Sequence, residues 1–338
     1  MSKNDLYTSL FLILVVLIIS LMQLHYITKP LKVEETIIKI PPNTNADKIA
    51  FTLFEHNIIR SPLYFRIYVK THHLAKHLSY GNYVFNGELD LPKVVDILVN
   101  AKVKLNKVTI PEGLTVWKTA RLLSKKGFVD YQKFIFLAND PDFAKEMTGF
   151  KIKSLEGFLY PETYFFPDGI SEKYVIKTMV EQFFHQTKKL NFDESNGLDF
   201  YQTVILASIV EKEAKISSEK PKIASVYLNR LAIHQKLQAD PTIAYFLDLR
   251  GINRKKIYYK DLEINSPYNT YKFKGLPPTP ICNPSISSIK AVLNPMNTTY
   301  FYFFADGHGH HIFSDTYYQH LTRQRIMKAN RNNSKKKS

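Results

Sequence analysis

Two carboxylates set among apolar neighbours are the first residues of this chain with an evident chemical use. The stretch ILASIVEKEAK (205–215) is apolar on every side until it ends on Glu211, Lys212 and Glu213. A surface helix would keep its charges on one stripe. At roughly 100° per residue, positions two apart point about 200° away from each other. The two glutamates therefore face opposite sides of one helix and cannot form the paired carboxylates of a glycosidase. Glu211 shares its side with Val204 and Ala207, and Glu213 shares its side with Leu206, Ile209 and Val210. Such neighbours raise a carboxyl pKa, and a raised pKa lets a general acid hold its proton near neutral pH. The competing reading is structural: a glutamate that closes a buried helix in a salt bridge, which suits at least one of the two.

Other reactive residue types offer less. His308, His310 and His311 could ligate zinc, but a zinc site needs three or four ligands at fixed spacing, and no HExxH or CxxC accompanies them. ADGHGHH between YFYFF and HIF is more simply a Gly-rich turn joining two strands. No metal is expected. Cys282, the single cysteine, lies between Ile281 and Asn283-Pro284, with no helix start to lower its pKa, and no GxSxG elbow is present. Neither GxGxxG nor GxxxxGK[ST] occurs, and no cofactor is expected.

The elements that must position these residues begin with an anchor. Between Leu6 and Thr28 there is no Asp, Glu, Lys or Arg, which is long enough to cross a bilayer as a helix. SLMQLHYITKP offers no small-x-small cleavage site, so residues 1–28 read as a cytoplasmic tip and an uncleaved transmembrane helix. Lys3 before the span and Lys29 and Lys32 after it give almost no orientation bias. The net charge of +16 suits anionic lipid heads or wall polymers. No nucleic-acid module accompanies it, so no nucleic-acid partner is expected.

Beyond the anchor, EETIIKIPPNTNADKIAFTLFEHNII reads as strand, Pro turn and helix, and the phrase returns as KVTIPEGLTVWKTARLLSKKGFV, with Ile40-Pro41 matching Ile110-Pro111. Small strand–helix units suit a binding module, which we bound at 36–105. Residues 106–325 change character: helical stretches (Val175–Lys188, Phe200–Lys215, Lys220–His234) alternate with loops rich in Pro, Gly, Tyr and Asn. Aromatic loops serve equally as core cover or as sugar-stacking surface. The basic tail 326–338 is expected to be disordered. The fold class is α+β: an N-terminal transmembrane helix, a small strand/helix module, and a larger mixed domain.

Several motifs occur in order: TIPEG, LEGFLYPETYFF, ILASIVEKEA, ASVYLNRL, KLQADPTIAY, SPYNTYKFKGLPPTPICNPS and YFYFFADGHGHHIFS. Together, from about Thr36 to His320, they closely resemble the endolytic murein transglycosylases, the MltG/YceG-like family. The resemblance implies a single-pass inner-membrane protein with the bulk of the chain in the periplasm. It also implies a LysM-like module that binds peptidoglycan and a catalytic domain that cuts the MurNAc–GlcNAc bond within glycan strands, ending nascent strand elongation beside peptidoglycan synthases (penicillin-binding proteins). By motif it puts the catalytic acid on Glu211, with Glu213 as a second acid or a structural residue. Where the family has Gly-Gly-His, this chain has Gly309-His310-His311, so His310 is a departure. One carboxyl group then suffices. It protonates the bridging oxygen, the muramic C6 hydroxyl attacks its own C1, and the glutamate takes that hydroxyl's proton to leave a 1,6-anhydro end. Glu156, Tyr160, Glu162, Gln238, Asp240, Asn269 and Tyr271, polar members of these motifs, are the candidate sugar-binding residues. A non-catalytic peptidoglycan-binding protein and a zinc-dependent wall hydrolase are the alternatives.

Overall fold

The computed structural model describes residues 3–192, 196–252 and 256–337, and the chain divides into two compact units, Met1–Asn106 and Lys107–Ser338. In the first, the uncharged stretch forms one continuous helix, Lys3–Thr28 (α1). At 1.5 Å per residue its 26 residues reach about 39 Å, more than the ~30 Å hydrocarbon core of a bilayer. From Phe11 to Met22 large apolar side chains are exposed all round. Among the described residues α1 is the one helix long and apolar enough to cross a membrane.

The rest of that unit is a three-stranded sheet with helices packed on it. Strand β1 (Leu31–Ile40) pairs antiparallel with β2 (Gly81–Leu89), from Leu31 opposite Leu89 to Ile40 opposite Gly81, with an irregularity between Val33 and Thr36. Strand β3 (Lys102–Val103) adds to the free side of β2. Helices α2 (Ala46–Glu55) and α3 (Pro62–Thr71) fill the β1–β2 connection, and α4 (Leu91–Asn100) follows β2. Each starts where a side-chain oxygen accepts an otherwise unpaired helix N–H: Asn45 from Lys48, Ser61 from Tyr64, Asp90 from Lys93. Ile38, Leu53, Phe65, Tyr83, Phe85 and Leu98 form the centre of the core, all under 3% exposed.

The repeated phrase is a repeat of local structure. Strand β4 (Leu105–Thr109) leads through TIPEG to α5 (Val116–Lys125), capped by Thr115 as α2 is by Asn45. Both helices end beside a left-handed residue, Asn57 (φ 54°) and Gly127 (φ 79°), before a second capped helix. In the second unit that helix is α6 (Tyr131–Ala138), followed by α7 (Pro141–Thr148), strand β5 (Thr163–Pro167) beside β4, and α8 (Glu172–Thr187).

Helix α9 (Phe200–Glu213) is the axis of the second unit. Asp199 and Gln202 close a reciprocal capping box at its start. Every residue from Thr203 to Val210 is buried, so this helix is core on all sides, as its uninterrupted apolar run predicts. Around it pack α10 (Lys220–Ala232), α11 (Asp240–Leu249) and α12 (Ile286–Leu293). Strands β6 (Tyr302–Ala305) and β7 (His311–Ser314) form the hairpin read from the Gly-rich turn. Helix α13 (Tyr317–Lys337) follows the hairpin. Tyr317 and His320 in its first turns sit against the Tyr302 ring.

Candidate functional site

The last turn of α9 sends its two glutamates into different surroundings. Glu211 turns toward the start of α12. Its Oε2 accepts from the Ser285 N–H at 2.9 Å, the Ser285 and Ser288 hydroxyls at 2.6 Å each, and Lys220 Nζ at 3.1 Å. Lys220 Nζ also donates to the Ser285 and Ser287 hydroxyls. The side chains of Glu211 and Lys220 are 8% and 4% exposed. Burial pushes the Glu211 carboxyl up, but these hydrogen bonds and the Lys220 charge outweigh it and hold the pKa below the ordinary value. An anion at a helix N-terminus is favoured twice, by unpaired N–H groups and by the helix dipole. The TIPEG turn covers this side: Lys212 Nζ donates to Gly113 O, and Gly113 lies over Glu211 in a left-handed conformation (φ 71°). Glu211, the acid expected from the motif, is thus a buried carboxylate tying α9 to α10 and α12.

Glu213 points the other way, into a cleft of about 450 Å³. Its Oε1 accepts from the Tyr227 hydroxyl at 2.8 Å. Burial raises its pKa to about 7; Tyr227 and Arg230 lower it and Asp240 raises it further, without changing that outcome. At neutral pH a substantial fraction of this carboxyl holds its proton. The difference between the two has a simple cause: helix phase puts the side chains on opposite sides, and the partner on each side comes from distant sequence.

The cleft wall is built by α10, the start of α11, the β6–β7 hairpin and α13. Tyr227 and Arg230, on one face of α10, fix the hairpin. Tyr227 meets the Phe303 ring edge-on at 5.8 Å, and Arg230 donates to Phe301 O at 2.7 Å while lying over the Tyr302 ring. Of the seven expected sugar-binding residues, Gln238, Asp240 and Tyr271 line the same cleft as Glu213. The Tyr271 hydroxyl donates to Asp240 Oδ1 at 2.5 Å. Gln238 sits in the left-handed region (φ 52°), a conformation that strains a non-glycine residue and clusters at functional sites.

The other four lie elsewhere. Glu156 is 2% exposed and accepts from the Val116 N–H and the Tyr245 hydroxyl, capping the start of α5; burial raises its pKa to about 8 despite these bonds and Lys118. Its neighbour Gly157 (φ 94°) has no room for a side chain, since a Cβ would come within 2.6 Å of Pro280. Tyr160 is buried, and its carbonyl accepts from the Tyr164 hydroxyl at 2.7 Å. Glu162 is exposed and its carboxylate accepts from the Thr163 N–H. Asn269 is fully buried, its amide holding Leu262 O and Ile264 O at 2.9 and 2.7 Å. Motif membership marked all four, and none of them lines the cleft that holds Glu213.

Sequence reasoning passed over Tyr227, Arg230, Tyr302, Tyr317, His320 and Gln324, which also line the cleft. The spacing of Tyr227 and Arg230 in ASVYLNRL, three apart on one helical face, was the available signal. His308 and His310 stay on the turn, where their N–H groups bond Asp306, while His311 enters the cleft wall and bonds Glu219. Cys282 is fully buried, and burial holds its thiol well above the ordinary value.

Known proteins resemble this chain over most of its length. The YceG-like family matches residues 38–326. A Bacillus subtilis (strain 168) protein named endolytic murein transglycosylase is 33% identical over 300 residues, 84% of this chain and 82% of its own. A Streptococcus pneumoniae protein of the same name is 26% identical over 79% of this chain, which spans 53% of that relative. The crystal structure of a yceG-like protein from Listeria monocytogenes aligns with a TM-score of 0.59 at 33% identity, covering 86% of this chain and 99% of its own.

Proposed function

The chain belongs to the YceG-like family, and from that premise we propose that it is a peptidoglycan lytic transglycosylase with Glu213 as its acid. The observation that carries the residue assignment is the position of Glu213: a carboxyl with its pKa raised to about 7, on the wall of a cleft rich in aromatic and polar groups. Glu211 is held as an anion by the start of α12 and by Lys220, so it has no proton to give near neutral pH. Glu213 protonates the bridging oxygen between N-acetylmuramic acid and N-acetylglucosamine. The muramic C6 hydroxyl then closes onto C1, and its proton passes to a base. Tyr271, Asp240 and Gln238 supply hydroxyl-binding groups beside that carboxyl, and Tyr302 and Tyr317 give rings for sugar faces to rest on.

The first unit acts as a LysM-like peptidoglycan-binding module; its strand–helix–helix–strand order with β1 antiparallel to β2 supports that reading. Helix α1 serves as a single-pass anchor, with everything after Thr28 on the periplasmic side, where the substrate lies. Peptidoglycan synthases are the partners this position suggests. The deciding experiment digests purified wall with the full chain and weighs the products. Ends one water lighter than hydrolysed ends mark the anhydro ring; hydrolysed ends alone, or no cleavage, would overturn the reading.

A further inference from the structure

The cleft holds a second group prepared for proton transfer. His311, at the start of β7, is packed so that its side chain is 6% exposed. Its Nδ1 lies 2.7 Å from Glu219 Oε2, and its backbone N–H donates to Glu219 Oε1 at 3.2 Å. The Phe303 ring, edge-on to His311 at 5.4 Å, also meets Tyr227, whose hydroxyl holds Glu213. Burial raises the Glu219 pKa, but its bonds to His311 and His310 outweigh that and keep it an anion. A carboxylate can only accept, so Nδ1 carries the hydrogen, which leaves Nε2 as the ring nitrogen able to accept from a substrate hydroxyl. Among the described residues Nε2 has no partner, and the ring lines the cleft shared with Glu213.

The proposed reaction needs such an acceptor. Before the glycosidic bond breaks, Glu213 donates its proton to the bridging oxygen while its Oε1 accepts from Tyr227. The C6 hydroxyl must already be oriented by another group. We infer that His311, held by Glu219, accepts the C6 hydroxyl of the muramic residue and takes its proton as the anhydro ring closes. The balance is complete: C6–O bonds to C1, the C1–O bond to the leaving sugar breaks, the Glu213 proton goes to the leaving oxygen, and the hydroxyl proton goes to Nε2. After release, solvent returns that proton from the imidazolium to the Glu213 carboxylate. His311 is then a catalytic residue and Glu219 a positioning residue.

The assignment rests on the transglycosylase reading, and the test separates the two. The full chain and its His311→Ala, His311→Gln and Glu219→Gln variants digest purified wall at equal folded concentration, with anhydro and hydrolysed ends counted by mass. His311→Ala should lose anhydro-end formation by at least about 10²-fold, the low end of general acid–base contributions. Its remaining products should shift toward hydrolysed ends, and added imidazole should restore part of the anhydro yield. His311→Gln offers an acceptor that cannot take a proton and should fall with the alanine variant; Glu219→Gln should fall less and shift the same way. Wild-type wall products without anhydro ends would defeat the transglycosylase reading itself. Wild-type anhydro ends together with His311 variants that keep rate and product ratio within about tenfold would defeat the role of His311 alone. A uniform loss with unchanged ratio and no imidazole rescue would also defeat it, by making His311 merely structural. Should the alanine variant not fold, His311→Gln and Glu219→Gln carry the same comparison.

Discussion

One turn of α9 carries two glutamates, and the hydrogen bonds and charges around them differ. Glu211 meets a helix start, two hydroxyls and a lysine, and is held as an anion. Glu213 meets one tyrosine hydroxyl beside Asp240 and Arg230, and is pushed up to about 7. Burial raises the pKa of both, so burial alone does not make an acid. What decides is whether enough donors and positive charge outweigh desolvation. The side with too few of them is the side that opens onto the cleft.

The largest effect that would break this comparison is loss of chemistry at Glu213. Glu213→Gln keeps shape and the tyrosine contact but has no exchangeable acid proton. Cleavage of purified wall should fall by about 10² to 10⁴-fold, with wall binding and thermal midpoint near wild type. Mass-resolved counts of anhydro ends at equal folded concentration decide it. If Glu213→Gln still makes them and folded Glu211→Gln does not, the two roles are reversed.

Glu211→Gln should strike stability instead. Removing one partner of a buried pair leaves the other, here Lys220, uncompensated, at a cost of about 3–5 kcal/mol. Denaturant melts should show that loss, while activity per folded molecule is largely kept. Replacing Lys220 by Met in the same chain should recover part of it, because no lone charge is then buried. A double variant no better than the single one would show that the serines, rather than the ion pair, hold this junction.

How far this difference could be read from sequence depends on which contacts are local. The N-terminal apolar helix, the repeated strand–turn–helix phrase and the hairpin around the Gly-rich turn come from residues near one another in the chain, and their positions were legible. The opposite orientation of Glu211 and Glu213 was legible too, since helix phase fixes it. Which one faces the cleft was not, because Ser285 and Ser288 on one side and Tyr227 on the other arrive from distant segments. The same limit explains the sugar-binding candidates: Glu156 and Asn269 are polar motif residues whose partners, Val116 and Leu262, make them core. A polar residue in a motif marks a constrained position without saying whether substrate or backbone constrains it.

Proton linkage sharpens the comparison further. A carboxyl whose folded pKa lies above its ordinary 4.5 stabilises the fold fully at low pH and loses that contribution as pH rises through the folded value. Glu213 does so between about 4.5 and 7, and Glu156 between about 4.5 and 8. Glu211 runs the other way, its contribution lost only as pH falls below the ordinary range. With Glu213 as the proposed acid, cleavage should decline as pH rises past about 7. Glu156→Gln is permanently neutral, so its thermal midpoint relative to wild type should climb across the Glu156 window. A midpoint difference independent of pH would mean that Glu156 is ionised in the fold.

The smallest effect comes from the matching experiment at the surface. Arg66 and Asp47 also form a salt bridge, at 3.2 Å, close to the 3.1 Å of Lys220 and Glu211. Their side chains are 43% and 56% exposed, so water competes for both charges and each keeps its solvation when the other is removed. Such pairs contribute about 0.2–1 kcal/mol, screened further by salt. Asp47 does not cap α2, since Asn45 does that, but it lies in the first turn, where an acid adds a small helix-dipole term. Asp47→Ala should therefore lower stability by about 1 kcal/mol or less, and the loss should shrink as salt is raised. A loss as large as that of Glu211→Gln would mean that distance rather than burial sets the worth of an ion pair in this protein, and the contrast drawn from the two glutamates would lose its basis.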